Sequence, residues 1–159
     1  MTDLDDLYQR TILAHHESPR RAGRLDAPSH AADGNNPLCG DRVTVTLQIG
    51  AGRLLDVRCD VRGCAICRAS GSLMAEAIAG LDVDAARALG ERLRRAIAEP
   101  APAEPGVQAG AAEEPEWGAL AALLAARRFP GRRRCATLTW ETLERALAAP
   151  VAGGAPPTG

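Results

Sequence analysis

The stretch RVTVTLQIGAGRLLDVRCDVR, residues 42–62, decides the fold class. Apolar and polar side chains alternate in each half, which is the two-residue period of a β-strand with one buried face. The apolar positions are Val43, Val45, Leu47 and Ile49 in the first half, and Leu55, Val57, Cys59 and Val61 in the second. Gly50-Ala51-Gly52 separates the halves, so the stretch predicts an antiparallel hairpin with one buried and one wet face.

Helical periodicity precedes and follows this hairpin. Before it, apolar residues from Leu4 to His15 recur at helical spacing, after a capping box that begins at Thr2 and before a stop at Pro19. Residues 18–38 carry Ser, Pro, Gly, Asn and Asp throughout and predict mainly loop. After the hairpin, from Cys64 onward, the spacing of apolar residues changes to the helical period.

The helices predicted after the hairpin each have one apolar face. The apolar positions are Cys64, Cys67, Gly71, Met74, Ala75 and Ile78 in the first helix, Ala86, Leu89, Leu93 and Ile97 in the second, Trp117, Leu120 and Leu124 in a short third, and Trp140, Leu143 and Leu147 in the last. Asp82 and Thr139 are the expected N-caps of the second and the last helix. Two strands followed by helices, without βαβ alternation, predict an α+β fold in which a small antiparallel sheet packs against several helices.

One domain accounts for most of the chain. We assign residues 1–149 to it, with a flexible insertion at 99–115, where the sequence EPAPAEPGVQAGAAEEP is rich in Pro, Ala, Gly and Glu. The tail at 150–159 is predicted to be disordered. The 32 alanines predict a thin core, because a buried alanine removes little area from water.

Charge and hydropathy exclude several classes of function. The net charge of −1 argues against a dedicated nucleic-acid surface or a surface for anionic membranes. No apolar run approaches the roughly 18 residues of a membrane span, and the acidic start from Met1 to Asp6 is unlike a signal peptide. We therefore expect a cytoplasmic protein that binds neither nucleic acid nor membrane.

The five cysteines call for a chemical explanation. Their number is odd and the expected compartment is reducing, which favours metal binding or thiol chemistry over disulfides. Cys39 precedes the first predicted strand, Cys64 stands at the strand-to-helix junction, and Cys135 lies between a basic stretch and the last predicted helix. Asp41 adds a carboxylate two residues after Cys39. Three thiolates and one carboxylate suit a tetrahedral cation such as zinc, although spacing alone is a moderate signal.

Three ordered motifs contain these four residues: GNNPLCGD at 34–41, GCAICRAS at 63–70 and RRCATLTW at 133–140. Together with LYQRTILAHHESPRRAGRL at 7–25, they resemble the iron–sulfur assembly scaffold family that comprises IscU, SufU and the N-terminal part of NifU. The resemblance implies the SufE/NifU-like α+β fold with a metal site at one end, which binds zinc or a nascent iron–sulfur cluster. The implied ligands are Cys39, Asp41, Cys64 and Cys135.

Two departures from the IscU pattern resemble the SufU branch of the family. Arg134 stands where IscU-type scaffolds carry a histidine, and Phe129-Pro130-Gly131-Arg132 replaces their chaperone-recognised proline-valine-lysine stretch. This resemblance implies a zinc-dependent sulfur acceptor, and thus a sulfurtransferase, that serves a PLP-dependent cysteine desulfurase (SufS-like) and the SUF assembly complex. The family also suggests a monomer that docks on a desulfurase dimer.

Within that interpretation, Cys39 is the expected sulfur acceptor, because the adjacent Gly40 makes its loop the most mobile part of the site. One alternative is a scaffold that assembles and transfers a [2Fe–2S] cluster, with iron on the same ligands. Another is a non-catalytic interaction module that zinc stabilises.

Other chemistry-bearing residues receive structural interpretations. Cys59 lies on the apolar face of its strand and is predicted to be a core thiol. Cys67 forms a CxxC with Cys64 and is predicted to face the core, with a ligand role as the alternative. His15 and His16 are expected to be structural or partner-facing. The arginines Arg127, Arg128, Arg132, Arg133 and Arg134 are expected to form a solvated or partner-docking surface.

Overall fold

A three-stranded antiparallel sheet lies at the centre of the fold in a computed structural model that describes residues 3–38, 40–98 and 119–151. The elements in chain order are α1 (Asp3–Glu17), β1 (His30–Asn36), β2 (Asp41–Gly50), β3 (Arg53–Arg62), α2 (Ala65–Ile78), α3 (Val83–Ala98), α4 (Ala121–Leu124), a 3-10 turn (Ala125–Arg128) and α5 (Pro130–Leu147). The predicted α+β class, with a small antiparallel sheet against several helices, is confirmed.

The predicted hairpin is β2 and β3, which pair antiparallel with Val45 opposite Cys59. Val43, Val45 and Leu47 are buried, as the alternation indicates. The expectation for Leu55 is wrong: this side chain is 63% exposed, and Leu54 is buried in its place. The register shifts between Gln48 and Ile49, so that an irregularity near the turn reverses which face the first residues of β3 occupy.

The third strand, β1, lies within the stretch 18–38 that the sequence predicts to be mainly loop. Its sequence, HAADGNN, has neither apolar alternation nor β-branched residues, so no local signal marks it as a strand. β1 forms because β2 offers a free edge for pairing and because α5 packs across β1. The close approach of α5 is visible at Gly34, where a β-carbon would overlap the hydroxyl of Thr142. Tertiary contacts therefore override local propensity here.

The helices α1, α2 and α3 agree with the sequence-based predictions, including the burial of Ile12, Met74 and Leu93. The last helix differs, because α5 begins at Pro130 rather than after Thr139. Proline is favourable in the first helical turn, where its missing N–H has no intrahelical acceptor to lose. Cys135 consequently lies inside this helix, and the prediction that it precedes the last helix is wrong.

The predicted domain limits are only partly within the described residues. The insertion at 99–115, the cap at Thr2 and the side chain of Trp117 lie outside them. Two residues of the predicted tail are placed against β1: Pro150 bridges His30, and the Val151 N–H donates to the Ser29 carbonyl at 2.9 Å. Among the described helices, none combines the length and apolar character needed to cross a membrane.

A buried polar contact joins α1 to α2. His15 is almost fully buried, and its Nδ1 lies 2.7 Å from Ser72 Oγ on α2. The backbone N–H of Arg20 donates to the same Ser72 oxygen at 2.7 Å. Burial lowers the pKa of His15, and the positive charge of Arg20 lowers it further, against a smaller opposing effect of Glu76. The fold therefore favours the neutral imidazole.

The free energy of unfolding should fall as the pH is lowered below 6.5, the ordinary pKa of the His15 imidazole. In that range the unfolded chain binds a proton that the folded chain resists, so acid favours unfolding. His15→Gln keeps a polar side chain and removes the titration, so it should flatten this part of the pH profile. Urea unfolding at about pH 7.5 and about pH 5.5 measures the difference. Equal slopes in the wild type and the variant would contradict the assignment.

Candidate metal centre

Asp41, Cys64 and Cys135 converge at one end of the sheet. One ligand atom from each, a carboxylate oxygen or a sulfur, lies within 4.8 Å of the other two. They come from the start of β2, the junction between β3 and α2, and the interior of α5. Asp41 and Cys135 are buried and Cys64 is partly exposed, so Cys64 gives the centre its access to solvent.

The Asp41 carboxylate is oriented by the backbone of the β3–α2 junction. Its Oδ1 accepts a hydrogen bond from the Cys64 N–H at 3.0 Å, while Oδ2 lies 3.8 Å from Cys64 Sγ. One oxygen is thus held by the protein and the other is directed to the centre, as in carboxylate ligands with outer-shell support. Gly63 makes room for this arrangement, since a β-carbon there would overlap the Asp41 carboxylate.

Cys64 is the N-cap of α2. Its backbone is extended, and its Sγ accepts a hydrogen bond from the Cys67 N–H at 3.4 Å. No acidic residue occupies the first turn of α2, so only the amide groups and the helix dipole act on this sulfur from the helix side. Both orient N–H groups toward the position of the sulfur, at which a metal ligand is expected. The prediction that Cys64 stands at a strand-to-helix junction is confirmed.

Cys135 reaches the centre because α5 is tied to α2 by buried hydroxyl groups. Ser70 Oγ donates to the Ala136 carbonyl at 2.7 Å and lies 2.8 Å from Thr139 Oγ1, which is left to act as the donor. Ser70 and Thr139 are both fully buried. Satisfied buried hydrogen bonds fix the relative position of two elements, because either partner alone would be left unsatisfied at a cost. These bonds set the position of Cys135 relative to Cys64.

Cys39 lies outside the described residues, so its predicted place in the centre stays a prediction. Its neighbours form a turn between β1 and β2 in which the Gly40 N–H donates to the Asn36 carbonyl at 2.8 Å. Gly40 has a φ of +76°, a left-handed conformation that favours glycine. Leu38 is 94% exposed, so an apolar side chain faces solvent beside the candidate centre.

The donor set of the described residues fits a tetrahedral metal ion. Around zinc, two sulfurs lie about 3.8 Å apart, and a sulfur and a carboxylate oxygen about 3.6 Å apart. The observed 3.8 Å between Cys64 Sγ and Asp41 Oδ2, and the 4.8 Å limit for the three atoms, require only small side-chain movements to reach these values. Two thiols and one carboxylate from three separate elements leave one position for a fourth ligand.

Cys59 and Cys67 are buried thiols beside this centre. Burial and the charge of Asp60 raise the pKa of Cys59 to about 12. The pKa of Cys67 is also raised, first by burial and then by the negative charge of Asp41 and the neighbouring cysteines. Cys67 is fully buried. Among the described residues, it does not belong to the group whose ligand atoms lie within 4.8 Å of one another, which is Asp41, Cys64 and Cys135. Both residues lie in the core, as the sequence predicts.

The remaining predicted residues that the structure describes are outside the group of three ligands. His15 joins α1 to α2 as described above, in agreement with a structural role. In the arginine cluster, Arg132 is exposed, and Arg134 Nη2 lies 3.5 Å from Glu141 Oε1. Gly63 and Ser70 are supporting residues that sequence reasoning missed. The motif GCAICRAS contains both residues. However, no pattern in a single sequence shows that a glycine leaves room for a carboxylate, or that a serine donates a hydrogen bond to another helix.

Comparison with known proteins identifies the class to which this fold and centre belong. The family model described as the NifU-like N terminal domain matches residues 7–136. The chain therefore belongs to this family, and the family predicted from the three motifs is confirmed.

Named relatives in this family include both sulfurtransferases and scaffolds. The chain is 32% identical to the zinc-dependent sulfurtransferase SufU of Bacillus subtilis over 146 residues, which cover 92% of each protein. It is 29% identical to the iron–sulfur cluster assembly scaffold protein IscU of Streptococcus pyogenes, over 92% of this chain and 86% of that protein. Among crystal structures, a nitrogen-fixing NifU-like protein (N-terminal) from Brucella abortus is similar, with 27% identity and a TM-score of 0.74 over 92% of this chain and 96% of that chain.

Gly63→Ala should weaken metal binding while leaving the fold intact. The new methyl group would displace the Asp41 carboxylate, and loss of outer-shell support of this kind lowers metal affinity by about 10–100-fold. Gly131→Ala is the matched control, because a β-carbon at Gly131 meets nothing within 4 Å. Competition with a chromogenic zinc chelator measures both affinities. Equal affinities for the two variants would show that Gly63 does not hold the carboxylate in place.

Proposed function

We propose that this protein is a zinc-dependent sulfur acceptor that works with a cysteine desulfurase in iron–sulfur cluster assembly. The observation that carries the proposal is the convergence of Asp41, Cys64 and Cys135 at one end of the sheet. The similarity to the SufU sulfurtransferase over almost the whole of both proteins supports it further.

The proposed ligand set is Cys39, Asp41, Cys64 and Cys135. Cys39 is two residues from Asp41 in the sequence, and this short separation favours it as the fourth ligand. Three thiolates and a carboxylate favour zinc among the common divalent ions, since oxygen-rich sites suit magnesium or calcium instead. Bound zinc would keep the thiolates deprotonated near neutral pH and limit their oxidation.

In the proposed reaction, Cys39 Sγ attacks the terminal sulfur of a persulfide on the desulfurase. A new S–S bond forms on Cys39, the S–S bond of the donor breaks, and the donor cysteine leaves as a thiolate. No external oxidant or reductant is needed, because the sulfane sulfur passes from one thiolate to another. Asp41 is the hardest of the four ligands, and its departure would open a coordination position during transfer.

The partner in this proposal is a PLP-dependent cysteine desulfurase of the SufS type, which delivers sulfur to the SUF assembly complex. Two exposed apolar side chains support docking near the centre. Leu38 is adjacent to Cys39 and is 94% exposed, and Phe129, immediately before the helix that carries Cys135, is 46% exposed. In this proposal, these two apolar side chains belong to the surface that contacts the desulfurase.

Cys39→Ala should abolish the uptake of sulfur from the desulfurase. The variant loses the proposed nucleophile, so transfer of label from ³⁵S-cysteine should fall to the level measured without this protein. Cys59→Ala is the control, because it removes a buried thiol outside the ligand group and should leave the transfer rate near that of the wild type. Normal uptake by Cys39→Ala would exclude Cys39 as the acceptor.

The ligand set predicts opposite results for two further variants. Asp41→Ala should lose zinc affinity by at least about 100-fold, more than the usual cost of removing an outer-shell partner. Cys67→Ala should retain zinc, with circular dichroism to verify that both variants remain folded. Zinc lost from Cys67→Ala and retained by Asp41→Ala, in metal analysis of the purified proteins, would replace Asp41 by a fourth cysteine.

A second candidate function is a scaffold that holds a [2Fe–2S] cluster on the same ligands. The similarity to the IscU scaffold of Streptococcus pyogenes favours it, and thiolates are the usual cluster ligands. Stimulation of a desulfurase by the zinc-loaded protein would support the sulfur acceptor. Cluster assembly in high yield, followed by absorption spectroscopy, would support the scaffold. If neither result is obtained, the remaining candidate is a non-catalytic module that zinc stabilises.

A further inference from the structure

The pair Cys64 and Cys67 is a feature that the proposed function does not use in full. The two residues form a CxxC motif. Among the described residues, only Cys64 of this pair lies within ligand distance of Asp41 and Cys135. Cys67 is fully buried directly behind the centre. The proposed ligand set is complete without this second thiol, whereas a reaction between the two sulfurs would require both cysteines.

The backbone brings the two cysteines together on one rigid element. Cys64 is the N-cap of α2 and Cys67 is the third residue of the same helix, and the Cys67 N–H donates to Cys64 Sγ at 3.4 Å. Side chains three positions apart at a helix terminus lie on the same face, about 5–6 Å apart at their β-carbons. Rotation of the Cys64 side chain brings its Sγ toward Cys67, and a small backbone shift at Cys64, which lies outside the regular helix, brings the β-carbons to the roughly 3.5–4.5 Å of a disulfide.

The two thiols differ in access to solvent. Cys64 is partly exposed and its Sγ accepts the hydrogen bond from the Cys67 N–H, whereas Cys67 has no exposed surface. An accessible cysteine beside a buried one is the usual arrangement of a reactive and a resolving cysteine. Both carry free thiols in this structure.

We propose that Cys64 and Cys67 form a reversible intrahelical disulfide when the protein meets a peroxide. The Cys64 sulfur attacks one peroxide oxygen, so that an S–O bond forms as the O–O bond breaks. The leaving hydroxide takes up the thiol proton and departs as water, and Cys64 becomes a sulfenic acid. Cys67 then attacks the sulfenic sulfur, the S–O bond breaks, and a second water leaves as the disulfide forms. Two thiols and one hydrogen peroxide yield one disulfide and two waters.

This disulfide competes with metal binding because it consumes the Cys64 thiolate. A metal ion held by Asp41, Cys64 and Cys135 loses one of its ligands, so peroxide releases it and reduction allows it to return. This consequence rests on the proposed function, whereas the disulfide itself does not, since both cysteines are present in the metal-free chain.

The positions of the arginines make the pairing directly readable by mass spectrometry. Trypsin cleaves after Arg62 and Arg68 and yields the peptide GCAICR, residues 63–68, which contains both cysteines. A Cys64–Cys67 disulfide leaves this peptide as a single species that is about 2 Da lighter than the dithiol and resists alkylation. A Cys64–Cys135 disulfide would instead join it to the peptide that begins at Cys135, after Arg134.

The test treats the metal-free full chain with one equivalent of hydrogen peroxide, alkylates it without reduction and digests it. The expected product is the lighter GCAICR peptide, which returns to the dithiol after dithiothreitol. Cys59→Ala, a buried thiol outside the pair, should give the same product. A Cys64–Cys135 linked pair, or irreversible oxidation of Cys64 with Cys67 still alkylated, would overturn the proposal.

A second measurement uses the zinc-loaded protein with a chromogenic chelator. Peroxide should release zinc from both the wild type and Cys67→Ala, because Cys64 is oxidised in each. Only the wild type should recover its zinc after dithiothreitol, since Cys67→Ala cannot trap the sulfenic acid and accumulates irreversible products. Full recovery in Cys67→Ala would refute the resolving role of Cys67. If the purified protein binds no zinc, the proposed zinc-dependent function fails. The peptide measurement still decides whether the Cys64–Cys67 disulfide forms, because it uses the metal-free chain.

Discussion

The hydrogen bond from the Cys64 N–H to Asp41 Oδ1 is the interaction on which the candidate centre depends. It joins the start of β2 to Cys64, the second residue beyond β3, so that it closes the two ends of one hairpin. Because Asp41 is only 1% exposed, its carboxylate needs such a partner to be tolerated in the interior. The same bond turns the second oxygen toward the sulfur of Cys64, so that the contact that satisfies a buried charge also builds half of a metal site.

The other half depends on how α5 is held against the sheet and against α2. Ser70 and Thr139 supply hydroxyl groups to a helix interface that is otherwise apolar, and Gly34 allows α5 to lie close to β1. The small side chains of the core therefore have a use beyond filling space, since they permit close approach of the elements that carry ligands. A centre assembled from three such elements couples metal binding to the tertiary fold rather than to any one motif.

The thiols around this centre have the same chemistry and differ in their surroundings. Cys64 sits at a helix terminus with partial access to solvent, while Cys59 and Cys67 lie in the core, where burial raises the pKa of each thiol. The chain thus places a partly exposed sulfur next to buried ones. In the proposed reversible oxidation this contrast lets peroxide reach Cys64 first, while Cys67 reacts only afterwards, with the oxidised sulfur of Cys64.

Alternation and helical spacing in the sequence are local properties, and they were enough to predict the hairpin and the first three helices. The three ordered motifs were enough to predict the family, while the ligand set that they imply stays a proposal. Only the tertiary structure decided that HAADGNN is a strand, that Leu54 rather than Leu55 is buried, and that Cys135 lies inside a helix. These outcomes depend on a free strand edge, a register shift and an interhelix hydrogen-bond network. Each of them joins residues far apart in the chain, whose pairing energies no local pattern contains.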